Sequence, residues 1–264
     1  MRAGLSRVAF VLVALLLSTA AQARCPQPPP KGFLPLVARP TVLVLGEVHG
    51  TREIPAAVEQ LACALTQQQR PLVIGYELDA AEQPRLDAYL ASDGGSTARQ
   101  ALLQGDFWRA PRQDGRQSGA LLHLVDYVRQ LRHRGAAVEF VAVQAAGKPG
   151  DDRDASLAAG VAAQRARHPD AVIVVVTAGN HARVDDARAM GSRLRRQGVP
   201  LVALKVEYDT GTAWSCVNGC GLHPLEGRAR GSAPFVELQP TSRMFDGRLY
   251  VGAASGSPPA TDAR

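Results

Sequence analysis

The sequence has few aromatic residues and, beyond its N-terminal region, no long apolar run. Phe, Trp and Tyr make up 5% of the 264 residues, so the stacked aromatic platforms of many nucleic-acid-binding proteins are missing. The net charge is +6, but the basic residues stand at predicted helix ends with acidic residues nearby, which also argues against nucleic acid as a partner. No later stretch approaches the ~20 consecutive apolar residues of a membrane-spanning helix. We therefore predict that the mature protein has no transmembrane segment.

The N-terminal region has the features of a secretory signal peptide. A basic stretch precedes the apolar run VAFVLVALLL, and Ala21 and Ala23 form an A-x-A cleavage pattern. We predict a signal peptide at residues 1–23 that is cleaved after Ala23, with export to the periplasm or the medium. Because Arg24 rather than a small residue precedes Cys25, we do not expect a lipid-modified cysteine.

The chain has only four cysteines, and export makes disulfides the first interpretation of them. The C-V-N-G-C loop can close on itself because its Asn-Gly step supplies a turn, which pairs Cys216 with Cys220. A disulfide between Cys25 and Cys63 would then join the N-terminal tail to the first long helix. Four cysteines permit three pairings, and a zinc site is the rival interpretation.

Short β-branched runs alternate with helical patterns along the chain. The runs TVLVL, PLVIGY, VEFVAV, AVIVVV and PLVALKV are continuously apolar, which predicts strands that are covered on both faces. Amphipathic segments such as IPAAVEQLACAL separate them. We therefore predict an α/β fold with a mainly parallel central sheet and helices on both faces.

The other segments divide the chain into a tail, a domain and its additions. We predict an N-terminal tail at residues 24–39 and a single α/β domain at residues 40–253. The domain would carry a helical insertion after the second strand, at residues 80–117, and a C-terminal appendage with the cysteine loop, at residues 207–253. Residues 254–264 are rich in Ser, Pro and Ala and are predicted to be disordered.

Polar residues follow the predicted strands at their carboxyl ends. The first strand ends in Glu47 and His49, the second in Glu77, and the fourth in Asn180 and His181. A buried strand gains nothing from an unpaired charge, so these residues need another explanation. The carboxyl ends of parallel strands meet at one edge of a sheet, where ligands bind. We therefore predict that the two glutamates and two histidines converge there as catalytic residues.

Four further residues are candidates for binding a substrate. Asn180 lies in the fourth strand end, and Tyr208 follows the fifth strand. Arg109, in the insertion, could neutralise a substrate carboxylate. Asp154 stands at a helix start, where it could orient a histidine or simply cap the helix.

The segments LGEVHG, YELD followed by EQPRLDAYL, DASLAAGVAAQ and TAGNHA resemble the superfamily of ChaN-like haem-binding proteins, Tiki and TraB proteins, and erythromycin esterases. The resemblance runs from about Pro40 to Val184 and is greatest to the ChaN-like branch, by the G-E-x-H form and the order of segments. Similarity to the Tiki-like branch implies metal-dependent peptide hydrolysis at Gly46 to His49. Similarity to the esterases implies that a glutamate and a histidine activate water without a metal, and similarity to ChaN-like proteins implies binding of haem and iron uptake.

Hydrolysis of an ester or peptide is the function that we favour from the sequence, because paired carboxylates and histidines suit water activation. Glu47 or Glu77 would accept a proton from water, and a bound metal or His49 would polarise the substrate carbonyl. His181 would then donate a proton to the leaving group. If a metal takes part, Glu47, His49 and His181 are its predicted ligands, and Zn, Mn or Fe would suit them.

Binding of haem or iron is the alternative from another functional class. In that case His49, His181 or Tyr208 would ligate the iron, with apolar helices over the porphyrin. The scarcity of aromatic residues counts against a dedicated porphyrin pocket. An inactive scaffold that binds a partner is a third possibility.

Overall fold

The computed structural model describes residues 25–145, 152–239 and 243–261. The predicted signal peptide at residues 1–23, its cleavage site, and residues 262–264 lie outside the described residues.

The described residues form nine strands and eight α-helices. The strands are β1 (Val42–Glu47), β2 (Leu72–Asp79), β3 (Val138–Gln144), β4 (Val172–Ala178), β5 (Leu201–Glu207), β6 (Gly211–Cys216), β7 (Cys220–Leu225), β8 (Phe235–Leu238) and β9 (Gly247–Tyr250). The helices are α1 (Phe33–Leu36), α2 (Glu53–Gln67), α3 (Gln83–Leu90), α4 (Ser96–Leu103), α5 (Gly119–His133), α6 (Arg153–Arg167), α7 (Gly179–Ala182) and α8 (Met190–Arg196). A short 3-10 helix at Ala80–Glu82 precedes α3. Within these described ranges, none of the helices has the length and apolar character needed to cross a membrane.

Seven strands form one sheet in the order β3-β2-β4-β1-β5-β9-β8. All neighbouring pairs are parallel except β8 with β9. The predicted mainly parallel sheet, with a helical insertion after its second strand, is therefore confirmed. The predicted C-terminal appendage differs from expectation, because β8 and β9 extend the central sheet beyond β5, and only β6 and β7 form a separate hairpin.

Helices cover both faces of the sheet, which explains the continuous apolar runs. In β1, Leu43 and Leu45 pack in the cluster that contains the buried side chains of α2 and α5. Val42 and Val44 point the other way, into a second cluster with residues of α6 and α8. Successive side chains of a strand point to opposite faces of the sheet. When helices cover both faces, every side chain in the strand is buried, so every position is apolar.

The N-terminal tail is attached to the domain at several points. The Cys25–Cys63 disulfide joins it to α2, and Phe33 and Val37 are fully buried in the core. The second predicted disulfide, Cys216–Cys220, closes the β6–β7 hairpin.

The C-terminal segment is ordered where disorder was expected, at residues 254–261. Its Gly256 forms a bridge with Thr51, and Pro259 forms one with Ser118. Ser257 is buried, and its hydroxyl accepts a hydrogen bond from the amide of residue 120 at 3.0 Å. Composition misled the prediction here, because small residues that are typical of disordered tails also permit a close approach of backbone to backbone.

Candidate functional site

The predicted polar residues meet at the carboxyl edge of the central sheet. Strand β4 lies between β1 and β2, and Glu47 is opposite Ala178 in the register. The end of β2, with Glu77, therefore lies on one side of β4 and the end of β1 on the other. The four-residue helix α7, which contains His181, begins directly where β4 stops.

His49 is paired with Glu47 in a largely buried position. The Nδ1 atom of His49 lies 2.9 Å from Oε1 of Glu47, and their side chains are 12% and 4% exposed. Burial raises the pKa of Glu47, and the contact with His49 offsets this only in part. Burial by itself would lower the pKa of His49, but hydrogen bonds with Glu47 and Glu77 outweigh it and raise the pKa to about 9. His49 therefore carries a proton at neutral pH.

His181 has a matching carboxylate partner in Asp154. The Nδ1 atom of His181 lies 2.9 Å from Oδ1 of Asp154, and the same oxygen accepts a hydrogen bond from the amide of Met190 at 2.7 Å. Asp154 thus orients the ring and holds the start of α8. It does not cap its own helix, because Asp152 takes that role by accepting from the amide of Ala155.

Glu77 lies between the two histidines. Its oxygens are 3.6 Å from Nε2 of His49 and 3.9 Å from Nε2 of His181. One oxygen also accepts hydrogen bonds from the Thr177 hydroxyl at 2.7 Å and from the Ala178 amide at 3.1 Å. Burial would raise the pKa of Glu77, but its interactions with His49, Arg153 and Thr177 hold that pKa well below its ordinary range. Glu77 is therefore a fixed anion.

Two arginines, neither of them predicted, supply the cations beside Glu77. The guanidinium of Arg153 lies 2.5 Å from its Oε1 and that of Arg116 lies 3.5 Å away. Arg116 also makes two hydrogen bonds to Asp114, at 3.0 and 2.9 Å. The sequence contained one signal for Arg153, which directly precedes Asp154 in the segment RDASLAAG.

Arg109, which was predicted to neutralise a substrate carboxylate, has other neighbours. Its guanidinium donates to Gln104 at 2.7 Å, and it lines a cavity of about 470 Å³ that Trp214 also lines. An arginine of the insertion does lie at the strand ends, but that arginine is Arg116. The preference for Arg116 over Arg109 could not be predicted, because the loop between α4 and α5 has no regular sequence pattern that would show which side chains face inward.

Tyr208 lies close to the cluster, and Asn180 is turned towards solvent. The Tyr208 hydroxyl is 3.4 Å from the carbonyl oxygen of Val48, between Glu47 and His49 in the chain. Burial and the negative charge of Glu47 raise the pKa of Tyr208, so its hydroxyl keeps its proton. Asn180 is exposed on α7.

Gly46 permits the close packing that brings His181 to the site. A Cβ atom at position 46 would lie 2.7 Å from Cβ of Ala182 and 3.1 Å from Cα of Gly179, both in α7. Only glycine lets this helix rest directly on β1.

The donor set does not fit the metal site that was predicted from Glu47, His49 and His181. Glu47, one of the three predicted ligands, is bonded to Nδ1 of His49, and the oxygens of Glu77 are occupied by arginine, threonine and backbone donors, so neither carboxylate is left to complete a ligand set with the two Nε2 atoms. In the described part of the chain no group of three or more His, Cys, Asp or Glu side chains could hold a metal ion. Haem fits no better, because the Nε2 atoms face a cluster of charges rather than an apolar slot.

Comparisons with known proteins show the fold. The chain resembles a histidine-to-asparagine mutant of an erythromycin esterase in its open conformation, with a TM-score of 0.61 and 12% identity over 88% of this chain and 94% of that chain. A Bacillus cereus protein matches with a TM-score of 0.53 and 10% identity over 86% of this chain and 92% of that one. A succinoglycan biosynthesis protein matches with a TM-score of 0.52 and 10% identity, over 84% and 90% of the two chains. No profile of a known protein family matches the chain, and no curated protein matches it by sequence.

Proposed function

We propose that this protein is an exported hydrolase that uses two histidines, without a metal, to cleave an ester or peptide bond. One observation carries the proposal: two histidines each have Nδ1 2.9 Å from a carboxylate, and the Nε2 atoms of both lie within 4 Å of a single buried carboxylate, that of Glu77. A carboxylate that binds Nδ1 fixes the tautomer and orientation of the ring, as general acid–base catalysis requires. Two disulfides support export, because such bonds persist in oxidising compartments.

His181 is the group that we assign as the general base. Its Nδ1 is directed to Asp154, which leaves the lone pair of Nε2 for a proton from water. This assignment replaces the glutamate base expected from the sequence. Glu77 is unsuited to that role, because its oxygens are already bonded and its pKa is depressed.

His49 is the group that we assign as the general acid. It is protonated below a pKa of about 9, so it can polarise the substrate carbonyl and then release its proton to the leaving group. Burial of Glu47 beside it keeps this pair out of bulk water and strengthens the interaction between the two side chains.

The proposed reaction transfers two protons in opposite directions. Water forms a bond to the carbonyl carbon as its proton moves to Nε2 of His181, and the guanidinium groups of Arg116 and Arg153 stabilise the oxyanion. The bond from carbon to the leaving oxygen or nitrogen then breaks, and the leaving group takes the proton of His49. Loss of the proton from His181 and recovery of one by His49 restore the enzyme.

Membership of the ChaN, Tiki and erythromycin esterase superfamily is part of the proposal. The shared fold and the order of the Glu and His segments support it, and by analogy with the esterase an ester is the first substrate to test. The site supplies no observation in favour of the haem alternative.

The test is a hydrolysis assay of the purified protein without residues 1–23. We would measure p-nitrophenyl acetate, p-nitrophenyl butyrate and a fluorogenic peptide panel, with and without EDTA. Substitution His181→Gln or His49→Gln should lower kcat about 100-fold or more, since general acid–base groups contribute that much. The matched control is His123→Gln, because His123 is 72% exposed on α5 and bonded to Glu59.

Two results would contradict the proposal. One is hydrolysis that is unchanged in both histidine variants, and the other is activity that EDTA abolishes and Zn²⁺ or Mn²⁺ restores. A parallel haemin titration tests the alternative: a saturable Soret shift that His49→Gln or His181→Gln abolishes would favour haem binding.

A further inference from the structure

The β6–β7 hairpin contacts two segments that contain residues of the site. Gly50 follows His49, Gly115 precedes Arg116, and both approach the backbone of Trp214 in β6. The amide of Trp214 donates to the carbonyl oxygen of Gly50 at 3.0 Å. Both glycines have positive φ angles, of 81° and 101°, and a Cβ atom at either would collide with the Trp214 carbonyl oxygen. The backbone of Trp214 can therefore approach the other two segments this closely only because residues 50 and 115 are glycines.

The Trp214 side chain adds a second connection to the arginine segment. Its indole Nε1 donates to the carbonyl oxygen of Gln113 at 2.9 Å. Arg112, one residue earlier, donates to the carbonyl oxygen of Cys216 in the same strand at 3.1 Å. Residues 112–115 thus dock along β6, immediately before Arg116.

The position of this segment determines where the Arg116 guanidinium lies. Arg116 reaches Glu77 at 3.5 Å and Asp114 at 2.9 Å, and the Tyr76 hydroxyl donates to its carbonyl oxygen at 3.3 Å. Its guanidinium contacts are all at side-chain tips, which rotate easily if the backbone moves. A firm backbone position is therefore needed to keep the cation beside Glu77.

A disulfide holds the strand that makes these contacts. Cys216 and Cys220 are the last opposed pair of the antiparallel register, and their bond closes the hairpin next to its turn. An isolated two-stranded hairpin is only marginally stable in water, so this covalent closure contributes to keeping β6 in place.

We propose that Trp214 is a positioning residue for the hydrolase: through its bonds to Gly50 and Gln113 it sets the His49 and Arg116 segments in the geometry of the site. Trp214 lies in the disulfide-closed hairpin and is assigned no contact with the reacting atoms. The role in catalysis rests on the proposed function, whereas the docking of residues 112–115 does not.

The kinetic test is a double-mutant cycle between Trp214→Phe and Arg116→Gln. Trp214→Phe keeps an aromatic side chain and the backbone bond but removes the indole donor, and we expect kcat to fall about tenfold with KM within about twofold. In the Arg116→Gln background the same substitution should change kcat less than about twofold, because residues that act through one another are not additive. Val217→Ala, at the exposed tip of the same hairpin, is the control that should leave kcat unchanged. An equal, additive loss in both backgrounds would overturn the proposal.

A proteolysis test examines the docking role of Trp214 independently of the proposed hydrolase function. Trypsin should cleave after Arg112 or Arg116 at least about fivefold faster in Trp214→Phe than in the wild type or Val217→Ala, since cleavage follows the population of the open segment. The double variant Cys216→Ser/Cys220→Ser should show the same increase in cleavage rate. It replaces Trp214→Phe in the test if that variant does not fold. Equal cleavage rates in all variants would refute the docking role, even if hydrolysis were observed. Faster cleavage without any hydrolysis in the wild type would support the docking role and reject the catalytic one.

Discussion

Raising the pH should destabilise the protein through one residue, His49. In the folded protein the pKa of His49 is about 9, compared with an ordinary value of 6.5, because contacts with Glu47 and Glu77 outweigh the effect of burial. A group whose pKa is raised on folding binds its proton more tightly in the folded state. Its contribution to stability is therefore complete below pH 6.5 and is lost as the pH rises to about 9.

The expected loss is about 3 kcal/mol, since each pH unit of difference in pKa corresponds to about 1.4 kcal/mol. The His49 side chain is 12% exposed, so solvent screens this interaction little. A loss of that size is a large fraction of the about 5–15 kcal/mol by which most domains are stable.

The assay is urea unfolding at half-unit intervals from pH 6 to pH 10, for the wild type and for His49→Gln. Groups that titrate in this range without contacting His49 contribute to both proteins, so the difference between the two free energies of unfolding reports on His49 together with its carboxylate partners. That difference should shrink with rising pH by about 3 kcal/mol and level off above pH 9. A difference that is constant from pH 6 to pH 10 would show that Glu47 and Glu77 do not hold a charged imidazole.

Three further results are expected. Glu77→Ala should lower the free energy of unfolding by about 2 kcal/mol in urea, because it leaves two partly exposed guanidinium groups, those of Arg153 and Arg116, without their anion. An unchanged midpoint would show that this ion cluster does not stabilise the fold. Gly46→Ala should cost about 1–3 kcal/mol by the same assay, because the added methyl group meets Ala182, and wild-type stability would mean that α7 is not pressed against β1. Asp154→Asn should reduce kcat by about 100-fold with little change in the thermal midpoint, since the amide no longer stabilises a protonated histidine, and full activity would exclude the pair from catalysis.

The sheet and the two histidine positions could be predicted from the sequence because they follow from local pattern and one topological rule. Continuous apolar runs identified β1 to β5, and the shared edge of parallel strands brought Glu47, His49 and Glu77 together. His181 lies close to these residues because it follows β4, and β4 lies between β1, which carries Glu47, and β2, which carries Glu77.

The place of strands β8 and β9 in the central sheet was not predicted from the sequence. Each has four residues, and only β9 pairs with β5, in a parallel register over Leu204 to Glu207. The sequence of a four-residue strand does not indicate which sheet the strand joins. The order of the C-terminal tail, residues 254–261, was missed for a related reason, because many of its hydrogen bonds join backbone to backbone and do not depend on residue type.

The cations of the site depend on contacts over long sequence separations, and this explains why the sequence pointed to Arg109 instead of Arg116. Both arginines lie in the loop before α5, seven positions apart, and neither stands in a regular pattern that would predict which of them faces the strand ends. The structure distinguishes them by the docking of residues 112–115 on Trp214, about 100 residues later in the chain. Local pattern thus determines which groups can do chemistry at the strand ends, whereas tertiary packing of a loop against a hairpin selects Arg116 as one of the two arginines beside Glu77.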